Sequence, residues 1–225
     1  MNDTCRKLTP LQKSMSKHMI ASWTEVPQFH VERKVDCGAL SHLRGALEYN
    51  PSFTTMTIKT VADVLSRHPD MNASWGQDTI IRHSQANIGI AVDTGRGLLV
   101  PVVPDASSKS LFEIHKYLNH FKERAERGNF SVEELQHGTF SISNLGMLGV
   151  DSFTAIVNYP QSAILAMSAI REVPVVREGT VQIAKRMSLT LSVDHRVTDG
   201  ASAARFLGDL CDLLENSEEL LRGAS

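Results

Sequence analysis

The sequence has few cysteines and no long apolar run, and both absences narrow the kinds of protein it can be. Its three cysteines, Cys5, Cys37 and Cys211, are odd in number and far apart. This spacing predicts free thiols in a reducing compartment and argues against a disulfide framework or a zinc site. No apolar stretch approaches the length of a membrane-spanning helix, and the N-terminus lacks the charged-then-apolar pattern of a signal peptide.

The chain also lacks a strong excess of either charge. It has 23 Lys and Arg against 25 Asp and Glu, a formal net charge of −2. We therefore expect no bulk attraction to nucleic acid or to another polyanion. No internal repeat or low-complexity segment interrupts the 225 residues, which are enough to bury a sizeable core. We expect a single domain over residues 1–225, with the first six residues flexible.

One stretch, Ser188–Ala201, joins two different patterns. It reads SLTLSVDHRVTDGA, in which leucine and valine first alternate with serine and threonine. This alternation predicts a strand with one buried face, and the apolar spacing after the interruption predicts a helix. His195 lies on the turn between them, a position that suits an imidazole held at a cleft. A purely structural histidine remains an alternative. A metal site is disfavoured because only His195 and Asp199 would be ligands.

Other local patterns mark the remaining elements. Capping boxes begin helices at Thr9 and Ser110, and the glycine-rich turn 93–97 favours a hairpin over a phosphate-binding loop. The predicted helices span residues 10–23, 39–48, 54–67, 111–127 and 200–215, with short ones near 131–134 and at 217–221. The predicted strands span residues 28–35, 71–75, 79–82, 86–92, 98–103, 162–170 and 188–193. Residues 137–146 are predicted as a strand that runs into a glycine-containing loop, and residues 174–176 and 181–187 as a hairpin that leads into the strand at 188–193.

Several segments carry a family resemblance, among them MSKHMIASWTEVPQFHVERKVDCGAL at 15–40, which resembles the opening of the family's domain. DHRVTDG at 194–200 resembles the active-site signature of the catalytic domain of the acyltransferase (E2) component of 2-oxo acid dehydrogenase complexes. Chloramphenicol acetyltransferase, which shares that fold, is similar at the same place. NIGIAVDTGRGLLVPVVPDA at 87–106 and SISNLG at 141–146 are similar to other segments of the family, in the same order. The resemblance covers the chain from about residue 7 onward. It implies an α+β fold, a two-layer sandwich of a mixed β-sheet flanked by helices.

The resemblance also implies a reaction. An acyl group would move between the thiol of dihydrolipoamide and coenzyme A, without a metal. His195 would be the general base, because a base of pKa ~6.5 is well matched to a thiol of pKa roughly 8.5. Ser143 would donate a hydrogen bond to the oxyanion. Asp199 would orient the surroundings of the imidazole or anchor the turn through an arginine, whereas Asp194 is interpreted as structural. The residues that contact coenzyme A are left unassigned.

The same resemblance implies several binding partners. The family forms homotrimers with active sites at the subunit interfaces, and these build cubic or dodecahedral cores that work with lipoyl domains and the E1 and E3 components. SISNLG and FTAIVNYPQSAILAMSAI resemble the acetyl branch more than the succinyl branch. Gln12 and His18 stand where the family usually has arginines, so an arginine partner for Asp199 is not expected there.

Two other functions stay open. A non-catalytic core subunit would only build the oligomer, but such a subunit would be free to lose His195, Asp199, Gly200 and Ser143, and all four are present. A stand-alone acetyltransferase acting on a small hydroxyl acceptor would fit the missing lipoyl module, and fits the SISNLG segment less well. We expect no membrane or nucleic-acid partner. The expected compartment is the bacterial cytoplasm, or the mitochondrial matrix for an excised eukaryotic core.

Overall fold

A computed structural model describes residues 3–216, so the predicted helix at 217–221 lies outside the described residues. The helices are α1 (Pro10–Glu25), α2 (Gly38–Ala46), α3 (Phe53–Leu65), α4 (Leu111–Arg127) and α5 (Gly200–Glu215). The strands are β1 (Gln28–Asp36), β2 (Ala73–Gly76), β3 (Thr79–Arg82), β4 (Ile88–Ile90), β5 (Val92–Asp93), β6 (Leu98–Leu99), β7 (Val102–Val103), β8 (Phe140–Asn144), β9 (Ala163–Met167), β10 (Arg171–Arg177) and β11 (Thr180–Asp194). Short 3₁₀ turns include Glu133–Leu135, where a short helix was predicted.

A mixed seven-stranded sheet organises the domain. Its strand order is β1-β11-β9-β8-β4-β7, and β10 pairs with the first half of β11. Strand β8 runs parallel to β4 and β9, and the other pairs are antiparallel. Two small hairpins, β2–β3 and β5–β6, lie outside this sheet. A mixed sheet with helices packed against it is the α+β architecture that the resemblance implied.

The two faces of the sheet differ in chemistry. One face contributes Leu189, Leu191 and Val193, all fully buried, to a core that they share with α2, α3, α4 and α5. The opposite face is rich in hydroxyl groups, and we call it the hydroxyl-rich face. Its residues are Ser141, Ser143, Ser168, Ser188, Thr190 and Ser192. A small apolar cluster of Val26, Val157 and Ile164 lies on the same side. The alternation in the sequence therefore sorts the apolar side chains to one side.

The capping boxes in the sequence predicted the starts of α1 and α4 correctly. Both bonds of the capping box are present at Thr9 and again at Ser110. The strands differ more from expectation. The predicted strand at 98–103 is interrupted before Pro101, because proline cannot donate to a strand ladder. The predicted hairpin of residues 174–176 and 181–187 is confirmed as the pairing of β10 with β11, and β11 continues through the predicted strand at 188–193 as one 15-residue strand.

Candidate active site at the end of the central strand

His195 directly follows β11 and is fixed by its backbone. Its N–H donates to the carbonyl of Pro27 at 3.1 Å, which ties the turn to the start of β1. The imidazole packs against Phe29, with ring centroids 4.6 Å apart and planes tilted by 49°. Its ring nitrogens have no hydrogen-bond partner among residues 3–216, and the side chain is exposed. The ring is thus held from one side while its nitrogens remain accessible.

The neighbouring Asp194 has a structural role, as expected. Its carboxylate is 1% exposed and accepts from Arg196 at Nε (3.0 Å) and Nη2 (2.7 Å). The backbone N–H of Arg196 donates to the same carboxylate at 2.9 Å. This hydrogen bonding raises the pKa of Arg196, and its guanidinium lies 4.9 Å from the ring of Trp75. The ion pair therefore holds the turn in place without contacting the imidazole of His195.

Asp199 is the N-cap of α5. Its carboxylate accepts from the backbone N–H of Ser202 at 2.7 Å, and this bond lowers the pKa of Asp199. Within the described part of the chain no arginine forms an ion pair with it. Of the two roles predicted for Asp199, anchoring through an arginine is therefore not observed. The carboxylate stabilises the turn by capping the helix instead.

Ser143 lies near the end of β8, on the hydroxyl-rich face. Its hydroxyl has no hydrogen-bond partner within the described residues, whereas the hydroxyl of Ser141 on the same face donates to Gln161 at 2.7 Å. The loop that follows is fixed by Asn144, whose side chain donates to Thr54 at 2.8 Å and accepts from the N–H of Gly146 at 2.8 Å. Ser143 therefore presents a free hydroxyl from a well-supported loop.

In one chain, Ser143 and His195 lie far apart. Ser143 pairs with Ala166 on β9, and Ala166 pairs with Thr190 on β11. His195 is five residues further along the chain from Thr190. With strands ~4.8 Å apart and a rise of ~3.4 Å per residue, the Cα atoms are separated by roughly 20 Å. A single copy cannot bring both groups to one carbonyl.

The sequence analysis missed two contributors to this region. Phe29 lies on β1, and only the pairing of β1 with β11 brings it beside His195. Nε2 of His18 donates to the side-chain oxygen of Asn158 at 2.9 Å, and the side-chain amide nitrogen of Asn158 donates to the hydroxyl of Ser141 at 3.1 Å. Both contacts join residues far apart in sequence, so no local pattern could reveal them.

The whole described fold matches one protein family. Residues 2–222 match the model of the 2-oxoacid dehydrogenases acyltransferase catalytic domain. The chain belongs to this family. It is 36% identical over 222 residues to the acetyltransferase component of the pyruvate dehydrogenase complex of Rhizobium meliloti, covering 94% of this chain and 50% of that protein. It is 43% identical over 169 residues to the succinyltransferase component of the 2-oxoglutarate dehydrogenase complex of Azotobacter vinelandii, covering 75% and 42%. The chain thus spans about half the length of these relatives.

Solved structures agree with the family assignment. A dihydrolipoamide acetyltransferase from Azotobacter vinelandii, investigated for the catalytic roles of a serine, a histidine and an asparagine, superposes with a TM-score of 0.94 at 33% identity, covering 98% of this chain and 94% of that one. The cubic core of the pyruvate dehydrogenase multienzyme complex also superposes with a TM-score of 0.94, at 32% identity and the same coverage. Chloramphenicol acetyltransferase shares the fold, with a TM-score of 0.61 at 14% identity, covering 88% and 94%. The predicted family and fold are confirmed.

Two kinds of feature are absent from residues 3–216. No helix there is long and apolar enough to cross a membrane. No group of three His, Cys, Asp or Glu side chains in that range is arranged to hold a metal ion.

Cys37 and Cys211 are both buried, which raises the pKa of each thiol to about 12. Neither thiol is therefore suited to act as a nucleophile near neutral pH.

Proposed function

We propose that this protein transfers an acyl group between the thiol of dihydrolipoamide and the thiol of coenzyme A. The observation that carries the proposal is a pair of side chains without hydrogen-bond partners, whose spacing in the sequence matches that of the investigated residues in a relative. In the Azotobacter vinelandii acetyltransferase, the investigated histidine follows the serine by 52 residues and the asparagine follows the histidine by four. Ser143, His195 and Asp199 have the same two spacings. Neither the ring nitrogens of His195 nor the hydroxyl of Ser143 has a hydrogen-bond partner among the described residues.

The chemistry follows from the two side chains. An unprotonated ring nitrogen of His195 takes the proton of the attacking thiol, and the sulfur then bonds to the thioester carbonyl carbon. The carbonyl π electrons move to oxygen, and the hydroxyl of Ser143 donates to this oxyanion, a contact worth ~2–4 kcal/mol in the barrier. When the oxyanion collapses, the original carbon–sulfur bond breaks. The departing sulfur recovers the proton from the imidazolium, so the enzyme is unchanged.

Two copies of the chain are required for this mechanism. Because Ser143 and His195 are roughly 20 Å apart within one chain, His195 of one copy must face Ser143 of another. Identical contacts of this kind can close into a ring, and the family resemblance implies a ring of three copies, a homotrimer with three equivalent sites. The similarity to a cubic multienzyme core supports an oligomeric core. The larger cage, the lipoyl domains, and the E1 and E3 components are part of the same proposal.

The proposed roles of the remaining candidates are supporting ones. Asp199 caps α5 and so fixes the turn that carries His195.

Acetyl is the acyl group we propose, because Ser143 with SISNLG resembles the acetyl branch of the family. Succinyl is the competing choice, since a succinyltransferase component is 43% identical over three quarters of the chain. The bacterial cytoplasm, or the mitochondrial matrix, stays the predicted compartment.

An activity assay on the purified chain tests the proposal. Acetyl-coenzyme A and succinyl-coenzyme A are offered with dihydrolipoamide, and a chloramphenicol-like alcohol is offered as an alternative acceptor. Rapid acetyl transfer to dihydrolipoamide supports the proposal, and faster succinyl transfer would correct the acyl group. Transfer only to the alcohol would favour a stand-alone acetyltransferase. No transfer from a correctly assembled oligomer would indicate a non-catalytic core subunit.

A further inference from the structure

Helix α1 packs loosely on the domain, and polar side chains attach it. Ser22 is its buried residue, whereas the rest of the helix is partly or fully exposed. The hydroxyl of Ser22 donates to the carbonyl of Val157 at 2.6 Å. One helical turn earlier, Nε2 of His18 donates to the side-chain oxygen of Asn158 at 2.9 Å. The position of the helix therefore depends on two neighbouring residues of the segment before β9.

The bond from His18 continues as a chain of hydrogen bonds into the sheet. The side-chain nitrogen of Asn158 donates to the hydroxyl of Ser141 at 3.1 Å, and this hydroxyl donates to the side-chain oxygen of Gln161 at 2.7 Å. An amide oxygen can only accept, so Nε2 of His18 must carry a hydrogen and all three bonds run in one direction. Ser141 and Gln161 are 1% and 5% exposed, so water cannot easily replace their partners. Without His18, the Asn158 amide would be free to turn over, and Ser141 would lose its donor.

The two ends of this chain of hydrogen bonds lie on the elements that carry the proposed catalytic groups. Ser141 is two residues before Ser143 in β8, so both point to the hydroxyl-rich face. Helix α1 leads directly to Pro27, whose carbonyl accepts the backbone N–H of His195 at 3.1 Å. Within one copy, His18 therefore links the strand of the oxyanion donor to the anchor of the base.

Ion pairs do not make this link. Among residues 3–216, no ion pair joins α1 to the rest of the domain. His18 stands where the family usually has an arginine, and Asp199 has no arginine partner in that range. Asp199 is used instead to cap α5 through the N–H of Ser202. The orientation of α1 in this chain is thus set by neutral hydrogen bonds, those of His18 and Ser22.

We propose that His18 is a positioning residue for the acyl transfer. Through Asn158 it holds α1, and with α1 the Pro27 anchor of His195, in a fixed place relative to the strand of Ser143. The inference rests on the proposed function, because it assigns a role relative to that site. Each site in the oligomer needs one of these groups from each of two copies, so a shift of about 1 Å within every copy would misplace the base against the thiol and slow the reaction.

Two substitutions of His18 separate its donor from the rest of its side chain. His18→Gln keeps an N–H close to the place of Nε2, and His18→Leu removes it at similar size. A cavity of about 440 Å³ borders His18, so neither side chain is forced into a close-packed wall. His115→Leu is the matched control, since His115 bonds to Asn119 at the same distance of 2.9 Å in an exposed contact within α4.

Steady-state kinetics with acetyl-coenzyme A and dihydrolipoamide provide the first test. His18→Leu should lower kcat roughly tenfold and change either KM by no more than about twofold, because substrate contacts stay intact. His18→Gln should recover most of kcat, and His115→Leu should keep the wild-type value. Asn158→Ala should add little to the loss in His18→Leu, because both residues act through one bond. Oligomer mass should be the same for all variants.

Amide hydrogen exchange, measured by mass spectrometry on the assembled protein, gives a second test that needs no turnover. His18→Leu should speed exchange in α1, in residues 157–161 and in the turn at 194–197, and leave α4 unchanged. A wild-type kcat in His18→Leu, a His18→Gln variant as slow as His18→Leu, or wild-type exchange at 194–197 would overturn the role of His18. If the wild type transfers no acyl group, the proposed function fails instead, and exchange at 194–197 still tests the link from His18 to His195.

Discussion

Ser143 lies in β8 and His195 directly after β11, at opposite ends of the sheet, two strands and five residues apart in the ladder. Neither side chain has a hydrogen-bond partner among residues 3–216. Both are therefore available to a second molecule, and neither can serve the other within one chain. This separation makes assembly a condition of the proposed activity.

The separation predicts complementation between two inactive variants. His195→Ala removes the base, and Ser143→Ala removes the oxyanion donor, so each alone should lose about 10²- to 10³-fold in kcat. In a mixed trimer, one of the three interfaces joins an intact His195 to an intact Ser143. Random assembly should restore roughly a quarter of the wild-type sites. Co-expression of the two tagged variants, with kcat measured on the purified mixed oligomer, checks this number.

The control for this experiment is each variant mixed with itself. Both substitutions remove accessible side chains, so far-ultraviolet circular dichroism and oligomer mass should match those of the wild type. Oligomers shown to contain both variants could still have a kcat no higher than that of either variant alone. That outcome would mean that both groups belong to a site within one subunit. Such a result would contradict the interface site.

The N-cap of α5 predicts a pH-dependent stability. Bonding to Ser202 lowers the pKa of Asp199 in the folded state, so this group stabilises the fold fully above its unfolded pKa near ~3.9. The stabilisation is lost as the pH falls through the lower, folded pKa. Asp199→Ala should therefore lower Tm at pH 7, and the difference from wild type should shrink toward pH 3. Thermal unfolding between pH 3 and pH 7 measures this effect.

Asp199→Asn is the matched variant. Asparagine caps helices about as well as aspartate, and an asparagine occupies the same spacing in the Azotobacter vinelandii acetyltransferase. This variant should keep most of the Tm at pH 7 and keep kcat within about threefold of wild type. A large fall in kcat with an unchanged Tm would mean that the negative charge itself takes part in catalysis, and that capping is not the main role of Asp199.

The sequence revealed those features that depend on neighbouring residues. The capping boxes at Thr9 and Ser110 and the buried alternation at Leu189–Val193 are local, and all of them appear in the structure. The hairpin that leads into the buried half of β11 was also predicted, from its turn at residues 178–180. The pairing of β11 with β1 and β9 was not predicted. Local propensity cannot specify such long-range pairing.

The same distinction holds for the site. His195, Ser143 and Asp199 were selected from motifs, whose residues are close together in sequence. Their roughly 20 Å separation depends on strand order, which no single motif records. Motifs therefore supplied the candidate groups, and only the fold showed how these groups are arranged.

Gly146 gives a prediction about the loop that supports Ser143. A Cβ atom at this position would lie 2.5 Å from the carbonyl oxygen of Ser168 and 3.0 Å from the side chain of Asn144. Because the obstructing carbonyl is backbone, the loop itself must move. Gly146→Ala should cost about 1–3 kcal/mol in the free energy of unfolding and displace Ser143 from the oxyanion. We expect kcat to fall at least tenfold with little change in KM.

Gly45→Ala, whose Cβ would meet no atom within 4 Å, is the matched control and should leave kcat unchanged. Urea unfolding and steady-state kinetics on both variants would test the point, and wild-type kcat in Gly146→Ala would show that this loop does not position the oxyanion donor.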